Sequence, residues 1–167
     1  PEAVQLAPSG LDIGLRLALT VLAGAALGWD RSAKGHAAGL KTTLLVALAA
    51  CLSMLLANLL LGVAGKPADS FVQLDFMRLP LGVLTGVGFI GAGAIVKDRG
   101  DVKGLTTAAT LWIATLLGLC FGAGEHALGL AASAIAFVVL RGLRGFEKRL
   151  KEKRLATVSA QWREGVD

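Results

Sequence analysis

Two short charged motifs carry the polar chemistry of this chain. Asp30-Arg31 is followed, after a glycine-containing loop, by Gly39-Leu40-Lys41-Thr42-Thr43. Lys97-Asp98-Arg99 is followed, after a shorter loop, by Gly104-Leu105-Thr106-Thr107. Each second motif opens an apolar run, so each marks a helix start. The first backbone N–H groups there lack intrahelical partners, and the helix dipole is positive. Carboxylates and hydroxyls suit such ends as caps. In that reading Asp30 and Asp98 neutralise helix starts and pair with Arg31, Arg99 or Lys41. The alternative is a small polar site, with carboxylates holding a hard cation or helix N-termini holding an anion.

The elements that position these motifs are membrane spans. More than half of the 167 residues are hydrophobic, 22 are glycine, and the mean hydropathy is +0.67. A bilayer core needs about 20 apolar residues in helical form. Residues 43–62, 79–96 and 105–124 satisfy this without a charge. Residues 11–29 do so if Arg16 snorkels to the interface, with Asp12 one turn away as its partner. Residues 126–141 form the weakest span. The expected fold is an all-α membrane protein of about five transmembrane helices, residues 11–141, followed by a basic juxtamembrane tail, residues 142–167.

Charge sets the orientation. Every Lys and Arg except Arg16, Lys66 and Arg78 lies in the loop after the first span, the loop after the third, or the tail. The positive-inside rule then places the N-terminus outside and the C-terminus in the cytoplasm. The first twelve residues contain Glu2 and Asp12 but no Lys or Arg, so a secretory signal peptide is not expected. The two charged motifs fall on the cytoplasmic side. Their similarity suggests a parallel repeat of helices 1–2 and 3–4.

Glycine spacing predicts close helix packing. Gly82, Gly86 and Gly93 fall within about 40° of one another at 100° per residue, and Gly88 and Gly91 lie on another side. The third helix can thus be approached from two sides and is expected at the centre of the bundle. Gly24 and Gly28, and Gly118 and Gly122, have GxxxG spacing, which serves internal packing or a homodimer. No charged residue lies in mid-membrane, where proton relays and ion-coupled carriers place theirs. The polar groups at depth, Asn58, Thr85, Thr110 and Thr115, are expected mainly to bond within their own helices. Cys51 and Cys120 read as small packing residues, and the Glu125-His126 pair as a solvated outer turn. In the tail, Arg141, Arg144, Lys148, Arg149 and Lys151 suit anionic lipid rather than nucleic acid.

These residues carry a resemblance. Gly86-Val-Gly-Phe-Ile-Gly-Ala-Gly-Ala-Ile95 and Val102-Lys-Gly-Leu-Thr-Thr-Ala-Ala-Thr-Leu-Trp112 resemble the MgtC/SapB family of bacterial inner-membrane proteins. Gly28-Trp-Asp-Arg31 and Ala38-Gly-Leu-Lys-Thr-Thr-Leu-Leu-Val46 match it too. The chain departs from the family in having Asp30 for a usual Glu and Lys41 for a usual Arg. Lys cannot make the forked contact of Arg. The resemblance implies a role in magnesium homeostasis and in stress or virulence adaptation. It marks Asp30, Arg31, Lys41, Thr42, Asp98, Gly104, Thr106, Thr107 and Trp112 as motif positions of unassigned role.

Two functions follow as expectations. One is a non-enzymatic regulator of other membrane proteins such as ATP synthase. The other is a transporter or channel for Mg²⁺ or another ion. A lipid-directed enzyme ranks third, because no nucleophile constellation supports it. No resident cofactor is expected, and Mg²⁺ is the ion that a cytoplasmic-face site would take.

Overall fold

The computed structural model describes residues 8–32, 38–63, 77–98 and 101–142, without the side chains of Asp30 and residues 61–63. Four helices, α1 (Gly10–Ser32), α2 (Leu40–Val63), α3 (Arg78–Ala94) and α4 (Leu105–Ala123), precede α5 (His126–Gly142). A hairpin of β1 (Val96–Asp98) and β2 (Asp101–Lys103) joins α3 to α4. The fold is that of an all-α membrane protein. Gly10–Trp29, Leu40–Leu60 and Leu105–Ala123 are long and apolar enough to cross a membrane, and α3 and α5 are shorter apolar helices.

Several boundaries differ from the sequence expectation. Helix α1 continues to Ser32, so Asp30 and Arg31 sit on its last turn rather than in a loop. Helix α2 starts at Leu40 rather than Thr43. Lys41 and Thr42 interrupt the apolar run but not the helix, since Lys is a good helix former. Helix α3 ends at Ala94, where Ile95 turns to extended backbone (φ −93°, ψ 118°). Val96 then pairs across the hairpin with Lys103, and Asp98 with Asp101. The apolar run outlasts the helix there, and hydropathy alone does not see the change.

Helix α4, not α3, is the central helix. Ten of its residues are buried, from Thr107 to Gly122, whereas α3 buries Val87 and Gly91. The reason lies in where small residues meet. A methyl group on Gly118 would collide with the Ala47 carbonyl of α2, and one on Gly122 would lie 2.6 Å from the Cys51 carbonyl. On α1, a methyl on Gly28 would come 2.8 Å from the Leu40 Cα. One on Gly24 would lie 3.2 Å from the Leu44 side chain. Both GxxxG pairs are therefore spent on α2. On α3, Gly91 faces Ala108 and Gly88 faces Trp112, both of α4. Among the described residues, Gly82, Gly86 and Gly93 meet nothing within 4 Å.

Gly104 makes the reversal from hairpin to helix. Its φ of +93° is a region that L side chains rarely adopt, and a Cβ there would strike the Ala94 carbonyl. Gly124 ends α4 in the same way (φ 90°), with its N–H bonded to the Phe121 carbonyl at 3.0 Å. Beyond it, Gly129 of α5 receives the Phe121 ring so closely that no side chain would fit. The chain divides into two compact units, residues 1–133 and 134–167, with the division inside α5. In the described part of the second unit, the Arg141 guanidinium lies 4.6 Å over the Phe137 ring.

Candidate functional site

The strongest polar chemistry is at the two ends of α4, where α1 supplies a buried arginine to each. At the hairpin end, Arg31 is only 2% exposed. Its Nε donates to the Ala38 carbonyl at 3.0 Å, and one terminal nitrogen donates to the Thr110 hydroxyl at 3.0 Å. That nitrogen also approaches the Thr106 carbonyl at 3.5 Å, and the other donates to the Thr107 hydroxyl. A buried guanidinium is costly unless its donors are used. The forked, planar head meets that need by reaching a loop carbonyl and two turns of α4 together.

The next residue closes the same loop. Ser32 Oγ accepts the Leu40 N–H at 2.6 Å and so caps the start of α2. Arg31 and Ser32 thus pin residues 38–40 from the end of α1. The sequence motif was read as an Asp-Arg pair, and the capping role of the Ser beside it was missed. Serine three residues or fewer from a helix start would have signalled it, but Ser32 caps across a loop.

The other motif residues are distributed differently. The Asp98 carboxylate is exposed and pairs with Lys103 Nζ at 2.8 Å across the hairpin. It does not cap α4, whose N-cap is Gly104 without a side-chain bond. Thr107 is buried against Arg31, while Thr106 is exposed and contributes its carbonyl. Lys41 is exposed and Thr42 half-buried. Trp112 is 42% exposed, with its indole nitrogen beside Gly88. The Asp30 side chain and residues 99, 144, 148, 149 and 151 lie outside the described residues. The structure therefore joins Arg31, Thr107 and Thr110, and separates Asp98 from them.

At the opposite end, Arg16 does not snorkel. It is 8% exposed and donates to the Gly122 carbonyl at 2.7 Å. Asn58 Nδ2 of α2 donates to the same oxygen at 3.3 Å. The C-terminus of α4 carries the negative end of its dipole, which favours this cation. Asp12 completes the arrangement, with Oδ2 2.6 Å from Arg16 Nη2. His126, expected to be a solvated turn residue, has Nε2 buried without a hydrogen-bond partner, 4.0 Å from Asp12 Oδ1. No sequence signal joined it to residues so distant in the chain.

The hydroxyls at depth behave as expected. Thr85 donates to the Leu81 carbonyl, Thr110 to Thr106 and Thr115 to Leu111, each at 2.7–2.8 Å. Two of the expected four also reach another helix: Asn58 donates to the Gly122 carbonyl of α4, and Thr110 accepts from Arg31 of α1. Among the described residues, no group of three or more His, Cys, Asp and Glu is placed to hold a metal ion.

Residues 17–149 match the family model described as "MgtC family". The chain is 36% identical over 139 residues to "Putative magnesium transporter YhiD" of Escherichia coli K12, covering 83% of this chain and 64% of that protein. It is 37% identical over 161 residues to "Protein SrpB" of Synechococcus elongatus, covering 91% and 82% of the two chains. "Protein SapB" of Bacillus subtilis is 33% identical over 145 residues, covering 86% and 62%. The chain thus spans somewhat less than two thirds of YhiD and SapB. No solved structure is a significant match to it.

Proposed function

Because the chain belongs to the MgtC family, we propose that it is a non-enzymatic bacterial inner-membrane protein linked to magnesium homeostasis. In this reading it acts by binding and regulating other membrane proteins, ATP synthase being one candidate. Relatives from three bacterial species support the setting. The observation that carries the reading is the contrast among glycines. Gly24 and Gly28 of α1 and Gly118 and Gly122 of α4 are consumed inside the bundle, while Gly82, Gly86 and Gly93 of α3 meet no described residue within 4 Å and lie beside exposed Leu81, Phe89 and Ile90. A membrane helix with an open small-residue face can accept another helix at short range. The basic tail, beginning with Arg141, would hold anionic lipid at the cytoplasmic face.

The test is complementation of growth at low magnesium. Gly86→Leu adds bulk where no described residue lies within 4 Å, so the packing of the described helices is kept. Loss of complementation by folded Gly86→Leu protein supports the reading; full complementation contradicts it.

Transport of Mg²⁺ is the second reading, favoured by the printed name of YhiD. Guanidiniums buried at both ends of the α1–α4 contact weigh against a cation path there. Robust Mg²⁺ flux in proteoliposomes, abolished by Asp30→Asn, would establish the transport reading instead.

A further inference from the structure

Asp12 faces the Arg16 guanidinium and the His126 imidazole but engages only the arginine. Its Oδ2 is held by Arg16 at 2.6 Å, and its Oδ1 looks toward His126 Nε2 at 4.0 Å. Arg16 is anchored independently by the Gly122 carbonyl. The arginine therefore stays in place whatever the imidazole does. His126 is the first residue of α5, directly after the turn at Gly124-Glu125, and its Nε2 is sealed from solvent without a partner. A buried polar atom left unmatched is destabilising, so the arrangement favours any event that gives Nε2 a partner.

We propose that Asp12, Arg16 and His126 form a proton-operated latch between α1 and the α4–α5 turn. Protonation makes Nε2 a charged donor, which draws in Asp12 Oδ1 across the short gap. The α5 start is then tied to α1 by an ion pair. Loss of the proton removes the attraction, and the start of α5 is no longer tied to α1 by an ion pair. An imidazole changes charge between pH 5 and 8 in ordinary surroundings, which makes it the side chain suited to this role.

The neighbouring groups permit the added charge. Among the described residues, Asp12 of α1 lies beside His126 with Arg16 paired to it, the uncharged Asn58 of α2 shares the Gly122 carbonyl with Arg16, and Glu125 precedes His126 in the chain. Asp12 and Glu125 then balance Arg16 and protonated His126. The Gly124 turn is tightly fitted to the arginine, since a Cβ there would lie 2.8 Å from Arg16 Nη2.

The test is amide hydrogen exchange on the full chain in lipid nanodiscs, corrected for the intrinsic pH dependence of exchange. The wild type is expected to gain about two- to fivefold protection of residues 124–130 between pH 8 and pH 5.5, the size of a partly solvated ion pair. His126→Gln and Asp12→Asn should each flatten that response, while His126→Arg should give the protected state at both pH values. A wild type without the response overturns the latch. So does a response that persists in either His126→Gln or Asp12→Asn. The result is independent of magnesium-dependent growth, so the regulatory reading stands or falls separately.

Discussion

Arg16 and Arg31 hold opposite ends of one helix. Arg16 donates to the Gly122 carbonyl at the end of α4, and Arg31 to the Thr107 and Thr110 hydroxyls near its start. The two arginines lie about 22 Å apart along α1, at 1.5 Å per residue. Helices α1 and α4 must therefore run antiparallel, clamped by charge at each end and by α2 between them. The two clamps differ in kind. Arg16 meets the negative end of the α4 dipole, whereas Arg31 sits at the positive end and depends on its hydrogen bonds.

That difference predicts the cost of losing the fork. Arg31→Lys keeps the charge but cannot reach Ala38 and both threonines at once. Its stability should fall by about 1–3 kcal/mol, read as an earlier midpoint in denaturant unfolding in micelles. Thr110→Val should cost less, since Arg31 retains its other partners.

Glycine-to-alanine changes should have opposite signs on different helices. Gly118→Ala forces a methyl into the α2 backbone and should destabilise by about 1–3 kcal/mol. Gly86→Ala meets open space and should stabilise by about 0.5–1 kcal/mol through helix propensity. Thermal unfolding of both variants in one detergent decides the sign.

Gly104→Ala combines a left-handed backbone with a clash against the Ala94 carbonyl. Backbone strain alone should cost about 1–3 kcal/mol. Looser hydrogen-exchange protection should appear first in the hairpin and the first turn of α4.

Asp98→Asn should be nearly silent. Its partner Lys103 is exposed and the pair crosses a solvated hairpin, so the stability change should stay below about 0.5 kcal/mol. Growth at low magnesium should likewise be unchanged, in contrast to Arg31→Lys.

The sequence made the helices legible because bilayer-length apolar runs have few other outcomes. It also exposed the α1 and α4 glycine pairs as packing faces. It misplaced the centre of the bundle, because glycine count favoured α3 whereas the backbone of α2 approaches Gly118 and Gly122. It treated the two Asp-Arg motifs as equals. In the structure Arg31 is buried on a helix and Asp98 is exposed on a strand. A partial likeness remains. Gly28 lies against Thr43, the fourth residue of α2, and Gly91 against Ala108, the fourth residue of α4. The paired-helix packing can thus recur while the charged ends diverge. The Asp12–Arg16 pair was legible from its one-turn spacing, but the place of His126 beside it was not, since only the fold brings the start of α5 back to α1.

The two arginines on α1 also bear on how the molecule is made. Helix α1 is synthesised first, yet the α4 acceptor of Arg16 lies 106 residues later and those of Arg31 lie 76 and 79 residues later. Until then Asp12 can serve Arg16 and the Ala38 carbonyl can serve Arg31, but the donors that α4 later takes up must be satisfied by water or the insertion machinery. Helix α1 is consequently a deferred element. Its final seat in the bilayer exists only once the hairpin has turned the chain and α4 has arrived to receive it.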